Sequence, residues 1–343
     1  MNKLCILGAG SWGTAQSILL TRNGHKVVMW AGPDDDVDAI MENRENQRYL
    51  PGVKIPDSLV ITRDMEEAVG GATAVILAVP SQSFREVCVQ LQYYIKSEML
   101  LINTAKGLEI SSGMRLSQVA QDVLGENIQG QFAVLSGPSH AEEVAREMPT
   151  VVTAAAYHKD TAFMVQDIFM SPVFRVYTNP DVPGVELGGA LKNVMALATG
   201  IVQGLEYGDN ITAALMTRGL AEMTRMGSAM GGDRRTFNGL SGMGDLVVTC
   251  CSRHSRNRRA GELIGKGYSL EDCLNTVGMV VEGAHTTRVL YHLAADMNVD
   301  LPITRACYDI LYNHAPPRKA VEGLMKRRKK HEIEEIISDS GSW

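Results

Sequence analysis

The six cysteines of this 343-residue chain form no CxxC pair, and no histidine is spaced to complete a zinc site with them. No metal is expected. Cys5, Cys88, Cys250, Cys251, Cys273 and Cys307 read instead as free, mostly buried thiols in a reducing compartment. No stretch approaches the ~18 consecutive apolar residues of a membrane span, so stable membrane insertion is not expected and a cytoplasmic location is the default. The N-terminal run MNKLCILGAG resembles a signal peptide in its lysine and apolar residues, but Gly8, Gly10 and Gly13 break it and favour a first strand. A large excess of either charge is lacking as well. Lys plus Arg number 33 against 39 Asp plus Glu, a formal −6 that argues against a general binder of nucleic acid or anionic membrane. With 45% hydrophobic and 21% charged residues the chain is neither disordered, fibrous nor coiled-coil. No internal repeat is present, and at ~150 residues per domain the length gives roughly two cores.

What the chain does have is alternation. KLCILGA, HKVVMW, ATAVILAVP, MLLINTA, FAVLSGP, TVVTAAA and FRVYTN are β-rich runs separated by helical patterns, the signature of parallel βαβ units. The runs are continuously apolar, as strands are when helices cover both faces of their sheet. Around TNPDVPGVE, Pro180, Pro183 and Gly184 interrupt the pattern, and beyond them strand signals nearly vanish. The expected architecture is therefore α/β: a doubly wound, Rossmann-type sheet over residues 1–184, followed by an all-helical domain over 185–343. Methionine is frequent in the second half, where it reads as filler between helices.

Strand KLCIL runs directly into Gly8-Ala9-Gly10-Ser11-Trp12-Gly13 and then into the helical TAQSILLTRNG. A GxGxxG in that context is a dinucleotide fingerprint: Gly8 permits the tight turn, Gly10 admits a pyrophosphate to the backbone, and Gly13 lets helix and strand pack closely. The second strand ends Trp30-Ala31-Gly32-Pro33 with Asp34, Asp35 and Asp36 behind it. An acid there can hold a ribose hydroxyl, and the turn offers no base for a 2′-phosphate, so it leans towards NAD. The same three acids also read as a solvated acidic loop.

Polar residues also stand where a core would not want them. Thr104-Ala105-Lys106-Gly107-Leu108 and Ser136-Gly137-Pro138-Ser139-His140-Ala141 each follow a strand, and ligands bind at strand C-termini in open α/β sheets. Lys192 interrupts the apolar helix GGALKNVMALATG, with the small residues Gly188, Gly189 and Ala196 as helical neighbours that leave space above its ammonium. A desolvated lysine has a lowered pKa suited to proton transfer. The alternative is a snorkelling lysine paired with a carboxylate.

In order along the chain, GAGSWGTA, ENQRYLPG, NTAKGLE, LSGPSHAEEVA, GVELGGALKNVMALATG, SGMGDLVVTC, SRNRRAG and VVEGAHT resemble the bacterial-type NAD(P)-dependent glycerol-3-phosphate dehydrogenases. The resemblance extends over almost the whole sequence. It implies interconversion of dihydroxyacetone phosphate and sn-glycerol 3-phosphate with NAD(H) or NADP(H), supply of glycerol 3-phosphate for phospholipid synthesis, and a homodimer. It further implies that Ser11, Trp12, Tyr49, Lys106, Ala141, Arg256, Val280 and Glu282 serve the cofactor beside the glycines at 8, 10 and 13. Lys106, Gly137, Ser139, Lys192, Asp245, Ser255, Arg256 and Asn257 are implied for the substrate, with Lys192 as the general acid/base. The chain departs from the family at Gly32 and Pro33, where many members carry a base, and at His140, where an aromatic is common.

Two other readings compete: a hydroxyacid or hydroxyacyl-CoA dehydrogenase, and a nucleotide sensor contacting nucleic acid through the basic run RKAVEGLMKRRKK. In the first, the SRNR segment lacks a purpose. The second run reads also as a solvated helix end. Charge distribution sharpens the picture. Residues 252–259 carry +4 and residues 318–330 carry +6, so taking these from −6 leaves −16 on the rest of the chain. An acidic body with a basic pocket edge suits a small phosphorylated substrate.

Overall fold

A computed structural model describes residues 2–33, 35–329 and 332. Eight strands form one sheet: β1 (Lys3–Leu7), β2 (Lys26–Trp30), β3 (Val60–Thr62), β4 (Ala74–Leu77), β5 (Leu100–Asn103), β6 (Phe132–Ser136), β7 (Thr150–Ala156) and β8 (Phe174–Asn179). Their order is β3-β2-β1-β4-β5-β6-β7-β8. Alternate side chains feed two apolar layers. Leu4, Ile6, Ala74 and Ile76 pack on one face of the sheet, and Cys5, Leu7, Val75 and Leu77 on the other. That two-sided burial is why the strands read as unbroken apolar runs.

Two features differ from the expectation of parallel units throughout. β7 pairs antiparallel with β6 and parallel with β8, so the last two strands are reversed. The helix joining β6 to β7, Ala141–Ala145, has five residues. At 1.5 Å per residue it rises about 7.5 Å, too little to return the chain along a strand of ~17 Å. The other is β3, an edge strand that the sequence reading passes over: its three residues, VIT, give no pattern.

The helix Val182–Gly204, the core helix, lies at the centre of the second domain. Asp181 caps it by accepting from the amide of Gly184 at 2.9 Å, and Pro183 sits in the first turn where no N–H is required. The turn formers read as an interruption are thus the start of the longest helix. By length and composition this helix could cross a membrane, although Glu186, Lys192 and Asn193 interrupt its apolar run as the sequence reading expects. Its apolar window is wholly buried inside the protein, beneath helices Asp209–Ala229, Asp245–Cys251, Arg256–Gly265, Glu282–Asp296 and Pro302–Tyr312.

Two tight contacts fix its neighbours. A Cβ on Gly200 would lie 2.0 Å from the carbonyl of Arg258, and one on Gly261 would lie 2.1 Å from that of Leu197. Gly204 and Gly265 repeat the arrangement one turn on, so the backbones of the core helix and helix Arg256–Gly265 touch. Towards the sheet, Glu186 of the core helix accepts from the amide of Ser117 at 2.8 Å and from the Arg115 guanidinium at 2.6 Å. All three residues are buried, and the bonds tie the two domains together.

Candidate active site

The glycine turn after β1 separates glycines the protein needs from one it does not. Gly8 has φ +118°, and its Cβ would sit 2.7 Å from the Ala78 carbonyl; a Cβ on Gly13 would sit 2.0 Å from the Gly8 carbonyl. A Cβ on Gly10 would meet no protein atom within 4 Å. That open backbone leads into helix Ser11–Arg22, which no side chain caps, so its first amides are available to an anion. A dinucleotide pyrophosphate fits this cradle. Asn46 fastens the ENQRYLPG loop to it, donating to the Ala9 carbonyl at 2.6 Å and to Thr14 Oγ1 at 2.9 Å while accepting from the Tyr49 amide. The guanidinium of Arg48 stacks over the Tyr49 ring at 4.9 Å. Trp12 packs partly buried against the sheet core, and its enclosed indole N–H has no hydrogen-bond partner among the described residues. Asp34 lies outside the described residues; Asp35 accepts from the Gly32 amide at 2.9 Å.

The chemical centre is a buried carboxylate held between two ammonium groups. Asp245 opens helix Asp245–Cys251 and is 1% exposed. Lys106, just past the end of β5, donates to Asp245 Oδ2 at 2.6 Å and to the Gly137 carbonyl at 3.0 Å. Lys192, from the core helix, donates to Asp245 Oδ1 and at 2.7 Å to Thr249 Oγ1. Gly188 and Gly189 make this convergence possible, though not by leaving space above Lys192. A Cβ on Gly188 would strike the Ser241 carbonyl at 2.6 Å, and one on Gly189 would strike Ser136 Oγ at 2.7 Å with Lys106 just behind. The room beside Lys192 is filled by the polar elements it works with.

Electrostatics follow from this packing. Burial pushes the Lys192 ammonium down to about 8, assisted by the positive charge of Lys106 and opposed by Asp245. For Asp245, burial acts upward, but the two ammonium groups outweigh it and hold the carboxyl below its ordinary value. Lys192 is therefore the group poised to exchange a proton near neutrality, and Asp245 stays anionic. His140 sits within range of both; burial and the Lys192 charge keep its ring below the usual histidine value, so it is mainly neutral at pH 7. Its ring rests against that of His254, 5.9 Å between centroids. Ser139 Oγ donates to the Gly137 carbonyl at 3.0 Å, and Ala141 begins the short helix behind it.

Ser255 caps helix Arg256–Gly265 through the Arg258 amide, which places Arg256 at the first helical position as an anion reader requires. Arg256 makes no hydrogen bond or ion pair among the described residues, although Glu282, Glu142 and Tyr49 are close enough to act on it. The side chain of Asn257 is engaged within the protein. Its Nδ2 donates to Asn193 Oδ1 and its Oδ1 accepts from the Gly283 amide, both at 2.9 Å. It is a strut joining the core helix, the Arg256 helix and helix Glu282–Asp296. Glu282 accepts from the Ser81 amide at 3.0 Å and its hydroxyl at 2.6 Å, closing one side of the cleft from helical domain to β4. Val280 stands partly exposed just before it.

Sequence reasoning passed over Thr249, Asn193, Asn46 and Ser81. Thr249 was within reach of a periodicity argument, being one helical turn after Asp245. Among the described residues no group of three or more His, Cys, Asp or Glu is placed to hold a metal.

The chain resembles known proteins along almost its whole length. Residues 3–162 match the family model for the N-terminus of NAD-dependent glycerol-3-phosphate dehydrogenase, and residues 181–322 match that for its C-terminus. The chain belongs to the NAD-dependent glycerol-3-phosphate dehydrogenase family. A glycerol-3-phosphate dehydrogenase [NAD(P)+] of Syntrophomonas wolfei is 60% identical over 343 residues, covering 100% of both chains. One from Bacillus velezensis is 50% identical, covering 98% of each. Among solved structures, glycerol-3-phosphate dehydrogenase from Coxiella burnetii superposes with a TM-score of 0.90 at 39% identity, covering 95% of this chain and 99% of that one. The Plasmodium falciparum glycerol-3-phosphate dehydrogenase gives 0.85 at 26% identity, covering 96% and 97%.

Proposed function

We propose that this enzyme reduces dihydroxyacetone phosphate to sn-glycerol 3-phosphate with NAD(P)H, and that it supplies the product for phospholipid synthesis. As a member of its family it is an NAD(P)-dependent glycerol-3-phosphate dehydrogenase. The observation that carries the residue assignment is the buried Asp245 bonded on its two oxygens by lysines from two different domains. When bound, the nicotinamide supplies the hydride, or accepts it in the reverse direction. As charge develops on the carbonyl oxygen, the Lys192 ammonium donates a proton to it and the Lys106 ammonium adds a second positive charge. Asp245 and Thr249 fix the direction of the Lys192 N–H groups, and burial excludes water from that proton. In the oxidative direction the neutral Lys192 amine receives the proton from the alcohol. The first amides of helix Arg256–Gly265 and the unpaired Arg256 guanidinium form the docking point for the substrate phosphate.

Free thiols at five buried positions and at the exposed Cys251 suit a cytoplasmic protein, and the family resemblance supports a homodimer of two such two-domain chains, divided near residue 184. The experiment that tests the reading is oxidation of NADH by purified protein on addition of dihydroxyacetone phosphate. Absence of turnover with NADH and with NADPH would sink it. The same assay ranks the cofactors: with Ala31-Gly32-Pro33 lacking a basic side chain, kcat/KM for NADH is expected to equal or exceed that for NADPH. A strong NADPH preference contradicts that reading of the turn. Replacing Arg256 by Ala removes one charge-assisted contact, worth about 1.5 to 3 kcal/mol, so KM for dihydroxyacetone phosphate rises roughly 10- to 150-fold. An unchanged KM moves the phosphate elsewhere.

A further inference from the structure

The catalytic cleft leaves one marked charge concentration unused. Helix Pro317–Met325 has no buried residue, and the chain continues through Lys326, Arg327, Arg328 and Lys329, all exposed. Two arginines of helix Asp209–Ala229 extend the same patch. Arg225 donates to the Asp300 carbonyl at 2.7 Å, where Arg327 also meets the Asp300 carboxylate at 2.7 Å, and Arg218 donates to the carbonyl of Glu332. Two carboxylates, Asp300 beside Arg327 and Glu322 beside Lys326, neutralise part of it. Glu322 lies 3.6 Å from Lys326 on the exposed helix face, a pairing of small value, whereas Lys319, Arg328 and Lys329 form no ion pair among the described residues.

In the midst of these cations Met325 is 74% exposed. Val321, one helical turn before it, and its neighbour Leu324 stand half-buried, and together with the inner part of Met325 they cover an apolar cavity of about 50 Å³ against Ile303 and Ile310. The helix thus turns its apolar face to the protein and offers solvent a basic face with the exposed end of Met325 at its edge.

We propose that segment 317–329, with Arg218 and Arg225, is a docking face for an anionic lipid bilayer. The rest of the molecule selects this partner over an extended polyanion. Removing the +4 of residues 252–259 and the +6 of residues 318–330 from −6 leaves the body at −16, which repels a strand that wraps but tolerates a plane touched at one corner. Met325 adds an apolar contact that a phosphodiester backbone cannot use and an acyl boundary can. The association is peripheral and screened by salt, since the charges lie at the surface. It goes beyond the catalytic reading and uses none of the cleft residues.

The test is co-sedimentation of the full chain with vesicles of phosphatidylglycerol and phosphatidylcholine, against vesicles of phosphatidylcholine alone. The full chain is required because Glu334, Glu335 and Asp339 follow the basic run in the sequence. Binding is expected to the anionic vesicles only, and to disappear at high salt. Each surface cation contributes about fivefold, so the triple variant Lys319→Gln, Arg328→Gln, Lys329→Gln binds roughly 100-fold more weakly. These residues are exposed and remote from the cleft, and unchanged turnover in solution verifies that the variant is folded. Met325→Ser is expected to weaken vesicle binding further without changing its salt dependence. Three outcomes overturn the proposal: no binding to anionic vesicles, equal binding by the triple variant, or binding of duplex DNA as tight as that of the vesicles. Loss of the catalytic reading would show instead as absent turnover in vesicle-free buffer, leaving the sedimentation result intact.

Discussion

Lys192→Ala is expected to lower turnover by at least ~100-fold while the dissociation constant for NADH stays within a few-fold of its normal value. The first part follows because no other group at the centre can replace the proton. Asp245 is held anionic, His140 is neutral with its Nε2 enclosed, and Lys106 is bound to Asp245 and the Gly137 carbonyl. The second part follows because the glycine turn, the uncapped helix and Asn46 lie on the other side of the cleft and do not touch Lys192. Stopped-flow turnover and fluorescence titration of NADH separate the two. The pH dependence gives an independent check. With the Lys192 pKa brought from 10.5 to about 8, reduction requires the protonated amine and loses rate as pH rises through about 8. Oxidation requires the neutral amine and gains rate over the same interval. Substantial turnover in Lys192→Ala, or the same pH limb in both directions, removes Lys192 from the role.

How much of this was legible beforehand depends on how local each feature is. The seven long strands were visible because each is an apolar run complete in itself, whereas β3 has three residues and depends on its pairing with β2. The reversal of β7 was hidden in the length of the preceding helix, a quantity that sequence patterns locate poorly. Lys192 announced itself by interrupting an apolar helix. Asp245 did not: its meaning comes from Lys106 and Lys192, 139 and 53 residues distant, and only the family resemblance pointed to it. Asn257 carries a second role of the same non-local kind. The resemblance puts it beside the substrate, and the structure adds that its side-chain amide is engaged at both ends by Asn193 and Gly283, a bridge that residue type alone cannot disclose. The glycines at 200, 204, 261 and 265 were in plain view at matching spacing, yet they acquire a purpose only when the two helices are laid against one another.

Asp245→Asn is the second substitution with a large expected effect, and it acts on stability and on chemistry together. The wild-type centre holds one buried negative charge between two positive ones. The amide keeps the shape and removes the charge, so the buried Lys192 and the partly buried Lys106 ammonium groups face each other without a counterion. Breaking a buried ion pair from one side costs about 3 to 5 kcal/mol, because the charge left behind is neither hydrated nor compensated. Part of that cost is relieved if Lys192 gives up its proton. Asp245 is the leading influence that raises the Lys192 pKa, and without it the value falls below about 8. Reduction in the variant should therefore lose rate at a lower pH than in the wild type, and the midpoint of thermal unfolding should fall by several degrees, less at alkaline pH where Lys192 is already neutral. The two readings are coupled by the same proton. A variant that melts at the wild-type temperature and keeps the wild-type pH limb would mean that Asp245 neither compensates the lysines nor sets the acidity of Lys192.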